Sequence, residues 1–251
     1  MIEEGKFKYN ETRGGKHNII LLHGLLGQLS NFQGIFDEFG DKYNIVFPFL
    51  PILEMPVKEV GIGALLQYVS EFINLKEYEK VSLIGNSLGG HLAQLYALDN
   101  FDKVESICLT GSSGLFENSM GSTFPKRGNY EYIKEKVETT FYDPTIATKE
   151  MVDEVFRTVN DRMKAIRIVA TAKSAVRHNL ADKLHNIKAP TLLVWGKDDG
   201  VTPPFVGEKF NELLDNSELH FIDKCGHAPM MEHPKEFNKI LGQFLDKNLV
   251  E

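Results

Sequence analysis

Cysteine is scarce in this sequence. Its 251 residues include only Cys108 and Cys225, which lie far apart and form no C-x-x-C pair. Disulfide scaffolds, zinc sites and redox pairs use more cysteines at closer spacing, so the sequence suggests none of them. Cys108 lies in the apolar run VESICLTG and is expected to be a buried core residue. These observations indicate a protein of a reducing compartment without a disulfide framework.

Excess positive charge and long apolar runs are also missing. The net charge is −7 and no Lys/Arg cluster stands out, which argues against nucleic acid as a partner. No apolar run approaches the roughly 18 residues of a membrane-spanning helix. The first residues, MIEEGKFKYN, are acidic and polar, unlike a signal peptide. We therefore expect a cytoplasmic protein that acts on a small molecule without a membrane partner; the sequence leaves its oligomeric state open.

Short apolar runs alternate with amphipathic stretches along most of the chain. Near-continuous apolar runs are typical of parallel strands that are covered on both faces. The runs are at 18–23, 43–50, 80–85, 104–111, 190–196 and 217–223. The amphipathic stretches are at about 59–75, 88–100, 204–214 and 233–248. This alternation predicts an α/β fold with a doubly wound, mostly parallel sheet, and residues 1–15 are expected to add an antiparallel hairpin at its edge.

One long interval interrupts the alternation. Three helix-like patterns, NYEYIKEKVETTF, TKEMVDEVFRTV and DRMKAIRIVATAKSAV, fill most of the residues between Gly111 and Pro190. An unstructured loop of that length would be unusual, so a helical insertion is expected. We predict a core formed by residues 1–111 and 188–251, with a helical cap at 112–187. Its Gly- and Ser-rich start, GSSG at 111–114 and MGS at 120–122, is expected to let the cap move.

A serine lies where a predicted strand meets a predicted helix. The stretch LIGNSLGGH places Ser87 between Gly85 and Gly89 in a G-x-S-x-G pattern. A sharp strand-to-helix turn strains its apex residue and requires small neighbours, which is the context of a nucleophile elbow. The alternative is that Ser87 is an ordinary helix N-cap.

A reactive serine needs a base and a group that orients the base. The candidates follow two later strands: Asp198 and Asp199 in LLVWGKDDGVTPP, and His227 in FIDKCGHAPMMEHP. Asp199 is the stronger candidate, whereas Asp198 is expected to cap the turn or face water. Both aspartates remain open to interpretation as plain turn residues. The chain has eight histidines, and His23 is expected to have a structural role beneath a turn.

Attack on a carbonyl carbon also requires donors for the oxyanion that forms. The backbone N–H of Leu88, directly after Ser87, is one candidate at the start of a helix. The second is the N–H of Leu25, in the turn HGLLGQLSNF after the first buried strand.

Together these motifs resemble the α/β-hydrolase-fold family. HG at 23–24, GNSLGG at 85–90, WGKDD at 195–199 and CGH at 225–227 occur in that family's order, Ser, Asp, His. The resemblance covers nearly the whole chain and puts the insertion where the family carries its cap. It implies that Ser87 is the nucleophile, His227 the base and Asp199 the orienting acid, with no metal or organic cofactor.

A narrower resemblance concerns the substrate. GNSLGGH and the ending CGHAPMMEHPKEFNKILGQFL are similar to carbon–carbon bond hydrolases of aromatic ring-fission products. In that ending, Glu232 is expected to anchor the loop of His227 by packing. The turn HGLLGQLSNF lacks those enzymes' Gly- and Pro-rich sequence and is more like that of small esterases, and PILEMPVKEVG replaces their Asp-, Gly- and Ser-rich loop. Asn86 and Arg157 are candidate substrate-binding residues.

Three functional hypotheses follow. The first is a serine hydrolase that cleaves a small ester or related carbonyl compound through an acyl-enzyme. The second is a carbon–carbon bond hydrolase of a ring-fission product with the same three residues. The third is a catalytically silent α/β-hydrolase fold that serves as a binding module, because fold alone does not determine function.

Overall fold

The core of the protein is an eight-stranded sheet. The computed structural model describes residues 1–116 and 126–249. The strands are β1 (Ile2–Glu4), β2 (Phe7–Glu11), β3 (Asn18–Leu22), β4 (Asn44–Pro48), β5 (Val81–Asn86), β6 (Val104–Thr110), β7 (Thr191–Gly196) and β8 (Ser217–Ile222). Their spatial order is β1-β2-β4-β3-β5-β6-β7-β8. Strands β3 to β8 pair in parallel, whereas β1 and β2 pair antiparallel at one edge. The predicted doubly wound, mostly parallel sheet is confirmed.

Helices cover both faces of this sheet. They are α1 (Gln33–Phe39), α2 (Ile62–Leu75), α3 (Leu88–Asp99), α4 (Tyr130–Glu138), α5 (Lys149–Asn160), α6 (Arg162–Arg177), α7 (Pro204–Leu213), α8 (Pro229–Glu232) and α9 (Pro234–Asn248). Successive residues of β3 belong to different hydrophobic clusters: Ile20 and Leu22 to the one that includes α2 and α3, Ile19 and Leu21 to the one that includes α1 and α9. Burial on both faces explains why β3 to β7 are near-continuous apolar runs.

The hairpin predicted in residues 1–15 is present at the edge of the sheet. Its turn is at Gly5, which has a positive φ of 57° that glycine adopts without steric cost. The Arg13-Gly14-Gly15 stretch instead follows β2 and leads into β3.

The interval between β6 and β7 contains α4, α5 and α6, where helical patterns were predicted. Each helix begins at a side chain that accepts a backbone N–H: Asn129 for α4, Thr148 for α5 and Asp161 for α6. Two hydrogen bonds tie α6 to the start of α2 and to the chain before it: Arg167 Nε donates to the Met55 carbonyl, and the Ile62 N–H donates to Ser174 Oγ. The MGS stretch at 120–122 lies outside the described residues.

Residues 1–116 and 126–249 contain neither a membrane-spanning helix nor a metal-binding cluster of side chains. No helix in these two ranges is both long enough and apolar enough to cross a membrane. Within the same ranges, no group of three or more His, Cys, Asp or Glu side chains is arranged to hold a metal ion.

Candidate active site

Ser87 occupies a strained turn between β5 and α3. Its φ of 54° and ψ of −118° are unusual for a residue with a side chain. The turn is held by the Ser87 N–H, which donates to the Thr110 carbonyl at 3.1 Å, and by the Ser113 N–H, which donates to the Ser87 carbonyl at 3.2 Å. In the part of the chain that the structure describes, the Ser87 side chain makes no capping hydrogen bond to α3. An ordinary N-cap therefore does not account for this serine.

The glycines around Ser87 are required by close packing. A Cβ on Gly85 would lie 2.5 Å from the carbonyl carbon of Gly89, and one on Gly89 would lie 1.9 Å from the Leu22 carbonyl oxygen. Both distances are far shorter than a van der Waals contact. The expectation that the residues flanking the serine must be small is met, and α3 starts directly against the ends of β3 and β5.

His227 and Asp199 form a buried pair. The distance from His227 Nδ1 to Asp199 Oδ2 is 2.9 Å, and the two residues are 6% and 3% exposed. A carboxylate only accepts hydrogen bonds, so the pairing assigns a proton to Nδ1 and makes Nε2 the acceptor whenever the ring is neutral. Asp199 also accepts from the backbone N–H groups of Val201 and Thr202 and from the Thr202 hydroxyl. Burial alone would raise the pKa of Asp199, but His227 and these donors hold it below its usual value.

The structure separates the two candidate aspartates. Asp198 is exposed, and its backbone N–H donates to the Cys225 carbonyl at 2.9 Å. Asp199 is buried because its side chain turns inward and accepts from residues two and three positions later, as in an Asx turn. Of the two carboxylates, Asp199 is the partner of the imidazole.

Asn86 connects the serine turn to the histidine loop. Its side chain is buried, and Nδ2 donates to the carbonyls of Thr110 and His227 at 3.0 and 3.1 Å. Because Asn86 directly precedes Ser87, these bonds bring the His227 backbone next to the serine turn. Both hydrogens of the Asn86 side-chain amide are used in these two bonds. The predicted contact between Asn86 and a substrate would therefore be made by the side-chain oxygen, and it stays a prediction.

The turn after β3 lies against Ser87. A Cβ on Gly24 would be 3.3 Å from Ser87 Cβ, so Gly24 lies against the serine; Leu25 follows Gly24 in the turn, and Leu88 is the first residue of α3. Beneath the turn, His23 donates from Nδ1 to the Gly24 carbonyl and accepts at Nε2 from the Leu50 N–H. His23 therefore supports the turn, as expected. The Leu25 and Leu88 N–H groups remain predicted oxyanion donors.

Two buried histidines near the site make stability depend on pH. Burial lowers the pKa of His23 and of His91 to about 4. The unfolded chain takes up these protons below about pH 6.5, so between pH 6.5 and 4 it binds more protons than the folded chain. The free energy of unfolding is therefore expected to be highest above this range and to fall with acidification, by on the order of 3 kcal/mol per histidine.

Urea denaturation at about pH 7 and about pH 5 measures this difference. A His91→Gln variant keeps an amide donor for the His178 carbonyl that His91 Nε2 contacts, but it does not titrate. Its pH dependence is expected to be shallower than that of the wild type. An equal change in the free energy of unfolding between the two pH values in both proteins would contradict the assignment of this pH dependence to His91.

Arg157, the second candidate substrate-binding residue, lies on α5. Arg157 is exposed on α5 near Asp153, whose pKa is lowered by Lys149 and, to a smaller extent, by Arg157. Substrate binding by Arg157 stays a prediction.

Sequence reasoning missed Thr202, which the Asp-Gly-x-Thr turn pattern could have indicated, and Thr140, which no sequence pattern marks.

The fold and this site together define the class of the protein. A mostly parallel sheet carries a strained serine after one strand and a His–Asp pair from the loops after two others, as in α/β hydrolases. Residues 54–234, more than half of the chain, match the family model for the alpha/beta hydrolase fold. The chain belongs to the α/β-hydrolase-fold family.

Comparisons with known proteins give three informative relatives. A 2-hydroxy-6-oxononadienedioate/2-hydroxy-6-oxononatrienedioate hydrolase of Paraburkholderia phymatum is 28% identical over 96% of this chain and 91% of that protein. A 2-hydroxy-6-oxo-6-phenylhexa-2,4-dienoate hydrolase of Comamonas testosteroni is 26% identical over 94% of this chain and 90% of that protein. The solved structure of MGS-MChE2, an α/β hydrolase enzyme from a metagenome of lagoon sediments at Mar Chica, Morocco, is 42% identical, covers 99% of both chains and has a TM-score of 0.82.

Proposed function

We propose that the protein hydrolyses a carbon–carbon bond in a 2-hydroxy-6-oxo-dienoate ring-fission product. Ser87 is the nucleophile, His227 the base and Asp199 the group that orients the base. The observation that carries this assignment is the buried 2.9 Å hydrogen bond between His227 and Asp199 beside the serine turn. The substrate class rests on the two curated relatives, whose names specify such compounds. These relatives favour carbon–carbon bond hydrolysis, the second hypothesis from the sequence, over ester hydrolysis, the first.

In the first step of the proposed reaction, the 2-hydroxyl proton of the substrate moves to C5. This converts the dienol to a 2-ketone, whose C2 oxygen can later take up the electron pair of the broken bond. His227 Nε2 takes the Ser87 proton as Oγ attacks the C6 carbonyl, and the Leu25 and Leu88 N–H groups stabilise the oxyanion. The C5–C6 bond then breaks, its electron pair moves to the C2 oxygen, and that oxygen receives the proton held by His227. Water activated by His227 releases the acyl group from Ser87, so one water is consumed overall.

An ester remains the second candidate, because one observation favours it. The turn that approaches Ser87 has the sequence HGLLG, without the Gly- and Pro-rich turn expected of the carbon–carbon hydrolases. The same three residues would cleave a small ester through the same acyl-enzyme. A silent binding module would have no need of a strained serine beside a buried His–Asp pair.

A paired assay tests the proposal. Purified protein is given 2-hydroxy-6-oxo-6-phenylhexa-2,4-dienoate or p-nitrophenyl butyrate in the same buffer, and kcat/KM is measured for each. A value at least about tenfold higher for the dienoate is expected; this corresponds to about 1.4 kcal/mol of transition-state stabilisation. Turnover of the ester alone would favour the first hypothesis. Turnover of neither, with no labelling of Ser87 by a fluorophosphonate, would favour the binding module.

We also propose that residues 112–187 form a cap over Ser87 and that its apolar side chains set substrate choice. Helices α4, α5 and α6 lie in this interval, and the preceding strand, β6, ends at Thr110, whose carbonyl contacts both Ser87 and Asn86. Binding sites are mostly apolar, and a cap supplies such a lining while excluding water.

Replacement of 112–187 by a Gly/Ser linker tests the cap. Because β6 and β7 are parallel neighbours, the linker needs a crossover of at least about a dozen residues. In a variant that still folds, KM is expected to rise and the preference among ester chain lengths to be lost. Unchanged KM and preference would show that the helices pack as an appendage.

A further inference from the structure

The loop that carries His227 is held by contacts from a distant part of the chain. The His227 N–H donates to the Thr140 carbonyl at 2.9 Å. The segment 140–142 follows α4, in the interval between β6 and β7, and we call it the strap. It contacts the backbone of the proposed base directly.

The strap lies too close to the histidine loop for any side chain at position 226. A Cβ on Gly226 would be 2.6 Å from the Thr140 carbonyl oxygen and 2.9 Å from Phe141 Cα. The Phe141 side chain is buried and belongs to the hydrophobic cluster that includes Cys225 and Met230. Main-chain contact and side-chain packing therefore hold the strap in one position against the loop.

One carboxylate links the strap to the loop. Glu232 Oε2 accepts from the Tyr142 N–H at 2.8 Å, and both of its oxygens accept from the Gly226 N–H, at 2.9 and 3.0 Å. Oε1 also accepts from the Ala228 N–H at 3.3 Å. Three backbone donors from two chain segments thus converge on one side chain. Two of them belong to the residues immediately before and after His227.

This convergence requires a carboxylate. An ionised Glu offers two accepting oxygens, whereas a Gln amide offers one oxygen and two donors. In either orientation of a Gln side chain, an NH2 group would face a backbone N–H, of Tyr142 or of Ala228. One of the contacts would be lost, and the loop or the strap would have to shift.

We propose that Glu232 is a positioning residue that couples the strap to His227. It acts through the histidine loop and does not touch the reacting atoms. The strap lies within the proposed cap at 112–187, so the position of the cap would set the position of the base. This inference rests on the proposed role of His227 as the base. It adds that the cap, besides covering the pocket, is linked mechanically to the base.

The first test is Glu232→Gln with Glu236→Gln as its matched control. Glu236 lies in the first turn of α9 and is exposed, and its charge acts on Cys225 of the histidine loop, so its variant makes the same change of charge while leaving the hydrogen bonds of Glu232 in place. A shift of about 1 Å in a catalytic group can cost about a hundredfold in rate. We expect kcat of Glu232→Gln to fall about ten- to a hundredfold with KM within about twofold of wild type, and Glu236→Gln to be unchanged. Wild-type kcat in Glu232→Gln would overturn the proposal.

The second test removes the same hydrogen bond from the strap side. Tyr142 is 48% exposed, so Tyr142→Pro removes its N–H donor at little cost in side-chain packing, although it also restricts the backbone of Phe141; Tyr142→Ala keeps the donor as the control. Tyr142→Pro is expected to lower kcat as Glu232→Gln does, whereas Tyr142→Ala is not. Should Glu232→Gln fail to fold, this pair decides: equal kcat in Tyr142→Pro and Tyr142→Ala would overturn the proposal.

A proton NMR measurement separates this proposal from the proposed function. The Nδ1 proton between His227 and Asp199 is a direct probe of the base and needs no substrate. Its resonance is expected to be sharp in the wild type and in Glu236→Gln, and shifted or broadened in Glu232→Gln. An inactive wild type with this pattern would refute the proposed function and support the positioning role of Glu232. An unchanged resonance in a folded Glu232→Gln would refute that role.

Discussion

The Ser87→Ala variant is expected to fold normally and to lose at least about a thousandfold in kcat, the scale seen when a triad nucleophile is removed. The hydroxyl is the group proposed to attack the substrate. The turn that presents it is held by main-chain bonds to Thr110 and Ser113, which alanine leaves intact. Steady-state kinetics on the preferred substrate measure the loss, and a urea melt verifies the fold.

Labelling with a fluorophosphonate provides an independent readout of the same variant. The wild type is expected to take up one label, and Ser87→Ala none. Ser217→Ala is the matched control, because Ser217 begins β8 and its hydroxyl contacts Asn211. Activity near that of the wild type in Ser87→Ala would mean that this serine has only a structural role.

Asp199→Asn is expected to lower kcat by up to about ten-thousandfold, whereas Asp198→Asn should change it by less than about twofold. In Asp199→Asn, the oxygen of the introduced amide could still accept from the Val201 and Thr202 N–H groups, so the turn should survive. The amide nitrogen, however, would face the His227 Nδ1 proton and favour the wrong tautomer. Asp198 is exposed and provides the matched control.

Steady-state kinetics of both variants measure the ranking. A larger loss for Asp198→Asn would move the orienting role to that residue. Comparable losses in the two variants would contradict the assignment of a single orienting carboxylate.

The six parallel strands were predicted from sequence to within about two residues at their ends. Strands β3 to β7 are buried on both faces, so their apolar runs report the structure directly, whereas the edge strand β8 is only half-buried. The short helix α1 was missed from sequence. It has only seven residues, and it follows Phe32, whose side chain has no oxygen that could cap the helix. The four-residue helix α8 was missed for the same reason of length.

Sequence motifs identified the candidate site, but not all of its supports. Ser87, Asp199 and His227 stand in recognisable patterns next to glycines or turn residues. The sequence favoured Asp199 over Asp198, and the fold adds the buried contact that Asp199 makes with His227. The contact between Thr140 and His227 joins backbone groups that every residue except proline possesses, so no residue type marks it.

The strained backbone of Ser87 has an evolutionary consequence. Positive φ angles of this kind cost about 1–3 kcal/mol for a residue with a side chain, while glycine adopts them freely. If Ser87 is the nucleophile, as proposed, selection for a reactive hydroxyl opposes selection for a more stable chain at this position. A lineage that no longer needed the proposed catalysis would then be expected to gain stability by replacing this serine with glycine.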